Sequence, residues 1–268
     1  SPMGQPVRQE RDSIGSVDVP AEALWGAQTQ RSVNNFAIGD QRIPLNLIYA
    51  LARIKQCCAV INGRHGLLDP AQINLIERAG DAILSGHHDD QFPLSVWQTG
   101  SGTQTNMNVN EVISNLAAHY AGEPLGSHRP VHPNDHINRS QSTNDAFPAA
   151  IHVAAAGQLK QTLLPELEQL IISLDAKAAS WMDIIKIGRT HLQDAVPLRL
   201  SDEVSAWRDQ LKSGVDWMTT ARNDLLALPL GGTAVGSGLN TPEGFADAVC
   251  AELAQRTGDG FHPATNLF

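Results

Sequence analysis

The chain has 268 residues, 42% of them hydrophobic, with a formal net charge of −9 and a sequence pI near 5.5. This is enough apolar material for a substantial core, while the absence of any basic run excludes a nucleic-acid or anionic-membrane surface. Cys57, Cys58 and Cys250 form no Cys-x-x-Cys pair, which fits a reducing compartment and excludes a zinc site held by several thiolates. With no run of about 18 apolar residues and no signal peptide ahead of Met3, a soluble cytoplasmic protein is the expectation. Ser1-Pro2 reads as an added remnant.

Residues 1–43, broken by Gly15, Pro20 and Gly26, predict largely irregular structure. Pro44 sits in the first turn of a helix reaching about Gly63, because Leu45, Ile48, Leu51, Ile54 and Cys58 recur at spacings of three and four. Asp69-Pro70 starts a second helix, carried by Ile73, Ile76, Ala79 and Ile83 to Gly86. His87-His88-Asp89-Asp90 contains metal-ligand residue types, but neighbours on one loop seldom converge on one ion, so a polar loop or local salt bridge is expected.

The stretch 98–112, QTGSGTQTNMNVNEV, is different. Ser101, Thr103, Gln104, Thr105, Asn106, Asn108 and Asn110 are neutral hydrogen-bonding groups, Gly100 and Gly102 permit close backbone approach, and Glu111 is the only ionised side chain. If buried, these groups need partners, which a small polar ligand could supply. The alternative is a solvated loop leading into a helix that starts near Asn106 and runs through Val112, Ile113 and Leu116 to Gly122.

After a Pro/Gly/His-rich connection, HPNDHINRSQSTNDAFPAA at 132–150 ends in Ser142-Thr143-Asn144-Asp145, with Asn144 or Asp145 able to cap the next helix. Free backbone N–H groups there, joined by Ser and Thr hydroxyls, form an anion site without formal charge; the alternative is that they only cap the helix. Helical sequence continues from Pro148 to about Lys186, with bends or a break at Gly157 and Pro165. A third polar island spans 188–194, where His191 either does acid–base work near neutrality or stabilises a turn.

The strongest periodicity runs over 200–228, where Leu200, Val204, Trp207, Leu211, Gly214, Met218, Ala221, Leu225 and Leu228 alternate spacings of four and three. A helix of that length is roughly 43 Å long, and its apolar face predicts an oligomeric bundle. The glycine-rich 231–238 lacks a Walker lysine or dinucleotide spacing and reads as a tight turn. Thr241-Pro242 starts a last helix, with Phe245, Val249 and Leu253 on one face.

Taken in order, QTGSGTQTNMNVNEV, HPNDHINRSQSTNDAFPAAIH, KIGRTHLQDAVPL and LGGTAVGSGLNTPEGFA closely resemble the iron-independent class II fumarases of the fumarase/aspartase superfamily, as does HDDQFP. The resemblance runs from about Arg11 to the C-terminus. It implies a mainly all-α fold, with an N-terminal domain over 1–141 and part of a long-helix bundle over 142–268. It also implies a fumarate/L-malate hydratase without metal or cofactor, built as a homotetramer whose sites are shared between subunits. By resemblance, Ser101, Gly102, Thr103, Ser142, Thr143, Asn144 and Thr190 bind the dicarboxylate, and the catalytic His191 orients or activates water. Arg129, His132, Pro133, Asn134 and Asp135 resemble the family's second anion site. Positions 142–144 read Ser-Thr-Asn where many fumarases have Ser-Ser-Asn, which keeps the hydroxyl. Nothing in the chain matches the family's Gly-Ser-Ser-x-Met-Pro-x-Lys-x-Asn-Pro loop, so the chain resembles an N-terminal portion, expected to be inactive alone. The open alternatives are an aspartate ammonia-lyase of the same superfamily and a non-catalytic helical assembly fragment.

Overall fold

The structure, a computed structural model, describes residues 4–268, so the Ser1-Pro2 remnant lies outside the described residues. Its elements are mainly helices, with three two-stranded sheets. Described residues up to Ala154, together with Leu226–Phe268, form one compact unit, and Ala155–Leu225 form a second. The 141/142 boundary falls inside the first unit.

In the first unit, β1 (Val7–Arg11) and β2 (Ser16–Pro20) form an antiparallel hairpin where irregular structure is expected from the sequence. Two observations explain it. Gly15 takes φ 143° in the turn, which few other residues tolerate, and Arg8 donates to the carbonyls of Pro20, Ala21, Ala23 and Trp25 at 2.7–3.1 Å. Helix α1 (Ala27–Asn35) follows. Helices α2 (Leu45–Arg64) and α3 (Pro70–Leu84) stand where their periodicity places them. Asp69 and Gln72 close a reciprocal cap on α3, with Gln72 N donating to Asp69 Oδ1 at 2.8 Å and Asp69 N to Gln72 Oε1 at 3.1 Å. In the 87–90 loop, Asp89 accepts from the Tyr49 hydroxyl at 2.6 Å, a local polar contact that pushes the Tyr49 phenol up to about 12.

Helix α4 (Thr103–Tyr120) begins three residues earlier than expected and is buried continuously from Thr105 to Ala118. Helices α1, α2 and α3 pack on it, and apolar residues such as Val109, Val112 and Ile113 are fully covered. Its polar residues turn inward and tie down loops. Asn108 donates to Gln91 O, Ser114 to Val131 O and Asn115 to Leu24 O, at 3.1, 2.6 and 2.6 Å. These amide and hydroxyl donors serve the fold, while the amide oxygens of Asn106, Asn108 and Asn110 are buried without a hydrogen-bond partner among the described residues.

Helix α5 (Thr143–Gln158) starts ahead of Pro148, which lies inside the helix. A single π-turn at Leu159–Leu163 separates it from α6 (Leu164–Ser180), so the expected irregularity falls between Gly157 and Pro165. The helical pattern then ends before Lys186, because β3 (Ile185–Thr190) pairs antiparallel with β4 (Gln193–Arg199). In the second unit α7 (Leu200–Asp224) packs along α6. At 25 residues, or about 37 Å, it stops short of the expected 228.

The chain rejoins the first unit at β5 (Ala227–Leu228), which pairs in parallel with β6 (His262–Pro263). Between them, α8 (Phe245–Thr257) opens three residues after the expected Pro242, at Gly244 in a left-handed conformation. It packs on α2, with Val249, Cys250 and Leu253 buried, and Arg256 on it reaches Glu77 of α3 at 2.9 Å. No helix of the described residues is long and apolar enough to cross a membrane.

Candidate active site

Two of the polar islands meet in the first unit through packing and a hydrogen bond. Gly102 caps α4 with φ 77°, and a Cβ placed on it would lie 2.5 Å from the Phe147 ring of α5. Only glycine fits there without displacing that ring. Four residues on, Asn106 Nδ2 donates to Thr143 Oγ1 at 3.2 Å, linking the helix that carries 101–103 to the 142–144 turn. The exposed Ser101 and Thr103 hydroxyls share a hydrogen bond at 3.0 Å.

The 142–144 turn is fixed from behind. Asp145 Oδ1 accepts from Ser142 N at 2.9 Å and its Oδ2 from Gly231 N at 2.9 Å, so Asp145, buried, is the residue that caps this end of α5. Burial raises the Asp145 carboxyl, and these backbone donors pull it back. The glycine-rich 231–238 segment is the tight turn expected, and it supplies one of those donors. Asn144 donates to Ser142 Oγ from its backbone N at 3.3 Å and from Nδ2 at 3.0 Å. Among the described residues, Ser142 Oγ and Thr143 Oγ1 each accept from protein groups and donate to none. Their O–H bonds are available to an anion at the start of a helix, where the field also favours negative charge.

Of the residues of the expected second anion site, Arg129 lies on the connection ahead of this turn, while Pro133, Asn134 and Asp135 open a π-turn at Pro133–Ile137 that His132 caps. His132 Nδ1 accepts from Asn134 N and Asp135 N, both at 3.1 Å, which places its proton on Nε2. Pro133 is buried, Asn134 and Asp135 are exposed, and Arg129 donates to Glu123 at 3.1 Å on the surface. A cavity of about 260 Å³ is lined by His128, His132, Pro133 and Asn134 together with Arg11 and Glu111; Arg129 and Asp135 are not in its lining. Glu111 accepts from Thr29 N at 3.0 Å, Thr29 Oγ1 at 2.6 Å and Gln28 N at 3.1 Å, yet burial still pushes its carboxyl up to about 7.

Thr190 and His191 belong to the second unit. The pair Thr190 and Gln193 closes a two-residue hairpin turn in which His191 (φ 50°) and Leu192 (φ 61°) are both left-handed. This geometry matches the twist of the strands but suits Asn-Gly far better than His-Leu, so the turn holds strain at the histidine. His191 is exposed at the tip, and Leu192 is 93% exposed.

Lys55 behind the 142–144 turn escapes a sequence reading. It is fully buried on α2, with Nζ donating to Gln141 Oε1 at 2.9 Å and Asn138 Oδ1 at 3.4 Å. The available signal was a lysine between Leu51 and Cys58, on the apolar face of an amphipathic helix.

The helix-rich fold gathers neutral donors at the starts of α4 and α5 on a core built around α4. A family model described as a lyase matches residues 15–268, and the chain belongs to that family. It is 79% identical over 266 residues to the class II fumarate hydratase of Parasynechococcus marenigrum, and 61% identical over 266 residues to that of Prochlorococcus marinus. Each alignment covers 99% of this chain and 57% of the relative, so the chain spans little more than half their length. Among solved structures, the class II fumarase of Schistosoma mansoni superposes with a TM-score of 0.91 at 40% identity, covering 98% of this chain and 58% of that one. A fumarate lyase:delta crystallin from Brucella melitensis bound to cobalt gives a TM-score of 0.91 at 37% identity, with 98% and 57% covered. The mainly α-helical fold expected from the resemblance is the fold observed.

Proposed function

We propose that the whole protein to which this chain belongs is a class II fumarate hydratase, which interconverts fumarate and L-malate by addition and loss of water. The observation that carries this reading is the pair of hydroxyls at the start of α5, Ser142 and Thr143, each held as an acceptor and each with its O–H unused, on a turn joined to 101–103 through Gly102 and Asn106. Removing a proton from the carbon beside a carboxylate drives negative charge onto that carboxylate's oxygens. Fixed neutral donors stabilise this charge without a competing counter-ion and without reorganising as it develops. Ser101, Gly102, Thr103, Ser142, Thr143, Asn144 and Thr190 hold the dicarboxylate in this reading. His191 orients or activates the water, and 129 with 132–135 form a second anion site.

Residues 1–141 form the N-terminal domain and 142–268 begin the central bundle of that protein, a cytoplasmic homotetramer with shared sites. Trp207 and Trp217 on α7, 50% and 73% exposed, support an assembly surface in the second unit. The test is to assay the full-length protein for fumarate formation from L-malate and from L-aspartate, followed by absorbance. Malate-dependent turnover is expected. Turnover with aspartate alone would reassign the protein as an ammonia-lyase, and turnover with neither would refute the enzyme reading.

A further inference from the structure

The Lys55 ammonium is held by two side-chain amide oxygens and by no carboxylate within ion-pair distance. Two groups act on it through space, the Cys58 thiol and the Asp145 carboxylate, and neither is hydrogen-bonded to it. Burial pushes the Cys58 thiol well up, so it stays uncharged, and Asp145 is engaged by the backbone N–H groups of Ser142 and Gly231. Burial without an adjacent counter-ion disfavours the charged form, so burial pulls this ammonium down to about 7.

Its surroundings show what it is built toward. Gln141, which accepts at 2.9 Å, immediately precedes Ser142. Asn138 Oδ1 accepts from Lys55 Nζ and also from Asn106 Nδ2 at 3.1 Å and Asn110 Nδ2 at 3.2 Å. Asn106 Nδ2 in turn reaches Thr143 Oγ1 at 3.2 Å. The positive end of the network is thus buried, and its far end is a substrate-turn hydroxyl whose own proton is unused. Asn138 Oδ1 is the common acceptor that places the Lys55 ammonium and the Asn106 amide relative to each other, so the coupling to Thr143 is one of position.

We propose that Lys55 is the positioning cation of the 142–144 turn, setting Gln141 and, through Asn138 and Asn106, the Thr143 hydroxyl, so that a bound carboxylate adds to the distant counter-charge of Asp145. This rests on the dicarboxylate reading above and adds a residue that never contacts the substrate. It accounts for how a turn lined only with neutral groups binds a dianion in a protein of net charge −9.

The test uses the full-length protein and succinate, a dicarboxylate that cannot react. Lys55→Met removes the charge and keeps the stem; Lys55→Gln removes the charge and keeps a donor for Gln141 and Asn138. Both are expected to weaken succinate about ten- to thirtyfold by calorimetry at about pH 6, where the ammonium is mostly charged, the effect of one unit charge about 8–12 Å away at an effective dielectric of about 20. KM for fumarate should rise in parallel, while kcat changes less than about threefold. The melting temperature without ligand should hold or rise, and the rise on adding succinate should shrink; a lysine with a merely structural role would instead lower the first. Succinate affinity within about threefold of wild type in either folded variant overturns the proposal, and so does loss of folding in both. Wild-type protein that binds no dicarboxylate overturns the fumarate reading as well, whereas wild-type binding with unchanged variants overturns this proposal alone.

Discussion

Replacing Gly102 with alanine tests whether the two polar islands are joined as described. The new methyl would stand 2.5 Å from the Phe147 ring carbons, well inside van der Waals contact, on a residue held at φ 77°. Left-handed backbone costs an alanine about 1–2 kcal/mol and overpacking a further 1–3, while the stiffer unfolded chain returns about 0.4–1. The net loss is about 2–4 kcal/mol, or roughly 5–15 °C in melting temperature for a chain of this size. Gly100→Ala, two residues away with nothing within 4 Å of its Cβ position, is the matched control and should stay within about 0.5 kcal/mol of the parent. Equilibrium unfolding in urea of both variants, of Phe147→Ala alone and of Phe147→Ala combined with Gly102→Ala measures the coupling. Equal stability of the two alanine variants, or no coupling to Phe147, would refute the account of how 101–103 is seated against α5.

Three further outcomes follow from the same geometry. Glu111 has a folded pKa of about 7 against 4.5 in the unfolded chain, so the folded state binds the extra proton between those values and loses stability as pH rises through them. Glu111→Gln removes that loss, and its stability relative to the parent should climb by a few kcal/mol from about pH 4.5 to 7.5 in urea titrations, a flat difference contradicting the burial argument. In the full-length protein His191→Asn should lower kcat by about 10²- to 10⁴-fold with little change in succinate affinity, because asparagine tolerates the left-handed backbone and only the titrating group is lost; a loss under about fivefold would make His191 structural. Arg129→Ala should leave kcat within about twofold, since its guanidinium is engaged by Glu123 on the surface, and a collapse of turnover would move Arg129 into the active site.

The helices of the first unit were legible because their signals are local. Asp69 followed by Pro70 announces α3, and the spacing of Ile48, Leu51, Ile54 and Cys58 announces α2. The hairpins were not. Strands of five to seven residues give few alternations, β4 carries Pro197, and the register shifts between Ile187 and Arg189, so the period-two pattern is broken where it would be read. The site was legible as types and not as directions. Ser142, Thr143 and Asn144 stand at a helix start as their chemistry requires, but Asn106, Asn108 and Asn110, equally polar in sequence, point into the protein and hold loops. Lys55 was missed because a lysine in an amphipathic helix is ordinarily solvated, and its burial is decided by α4 and the 138–141 segment, far off in sequence.

The Asp145 carboxylate joins Ser142 to Gly231, residues on opposite sides of the whole second unit in chain order. A ribosome therefore releases the 142–144 turn long before it releases the donor that secures it. Loop-closure entropy rises only slowly with the length of the intervening segment, so this late joining costs little in equilibrium stability. In time it matters more, because a nascent chain has α2, α3 and α4 available to collapse while the start of α5 still lacks its second anchor. The turn gains its second anchor only when the segment between β5 and α8 is in place, so its geometry is completed after the first unit's earlier helices have formed.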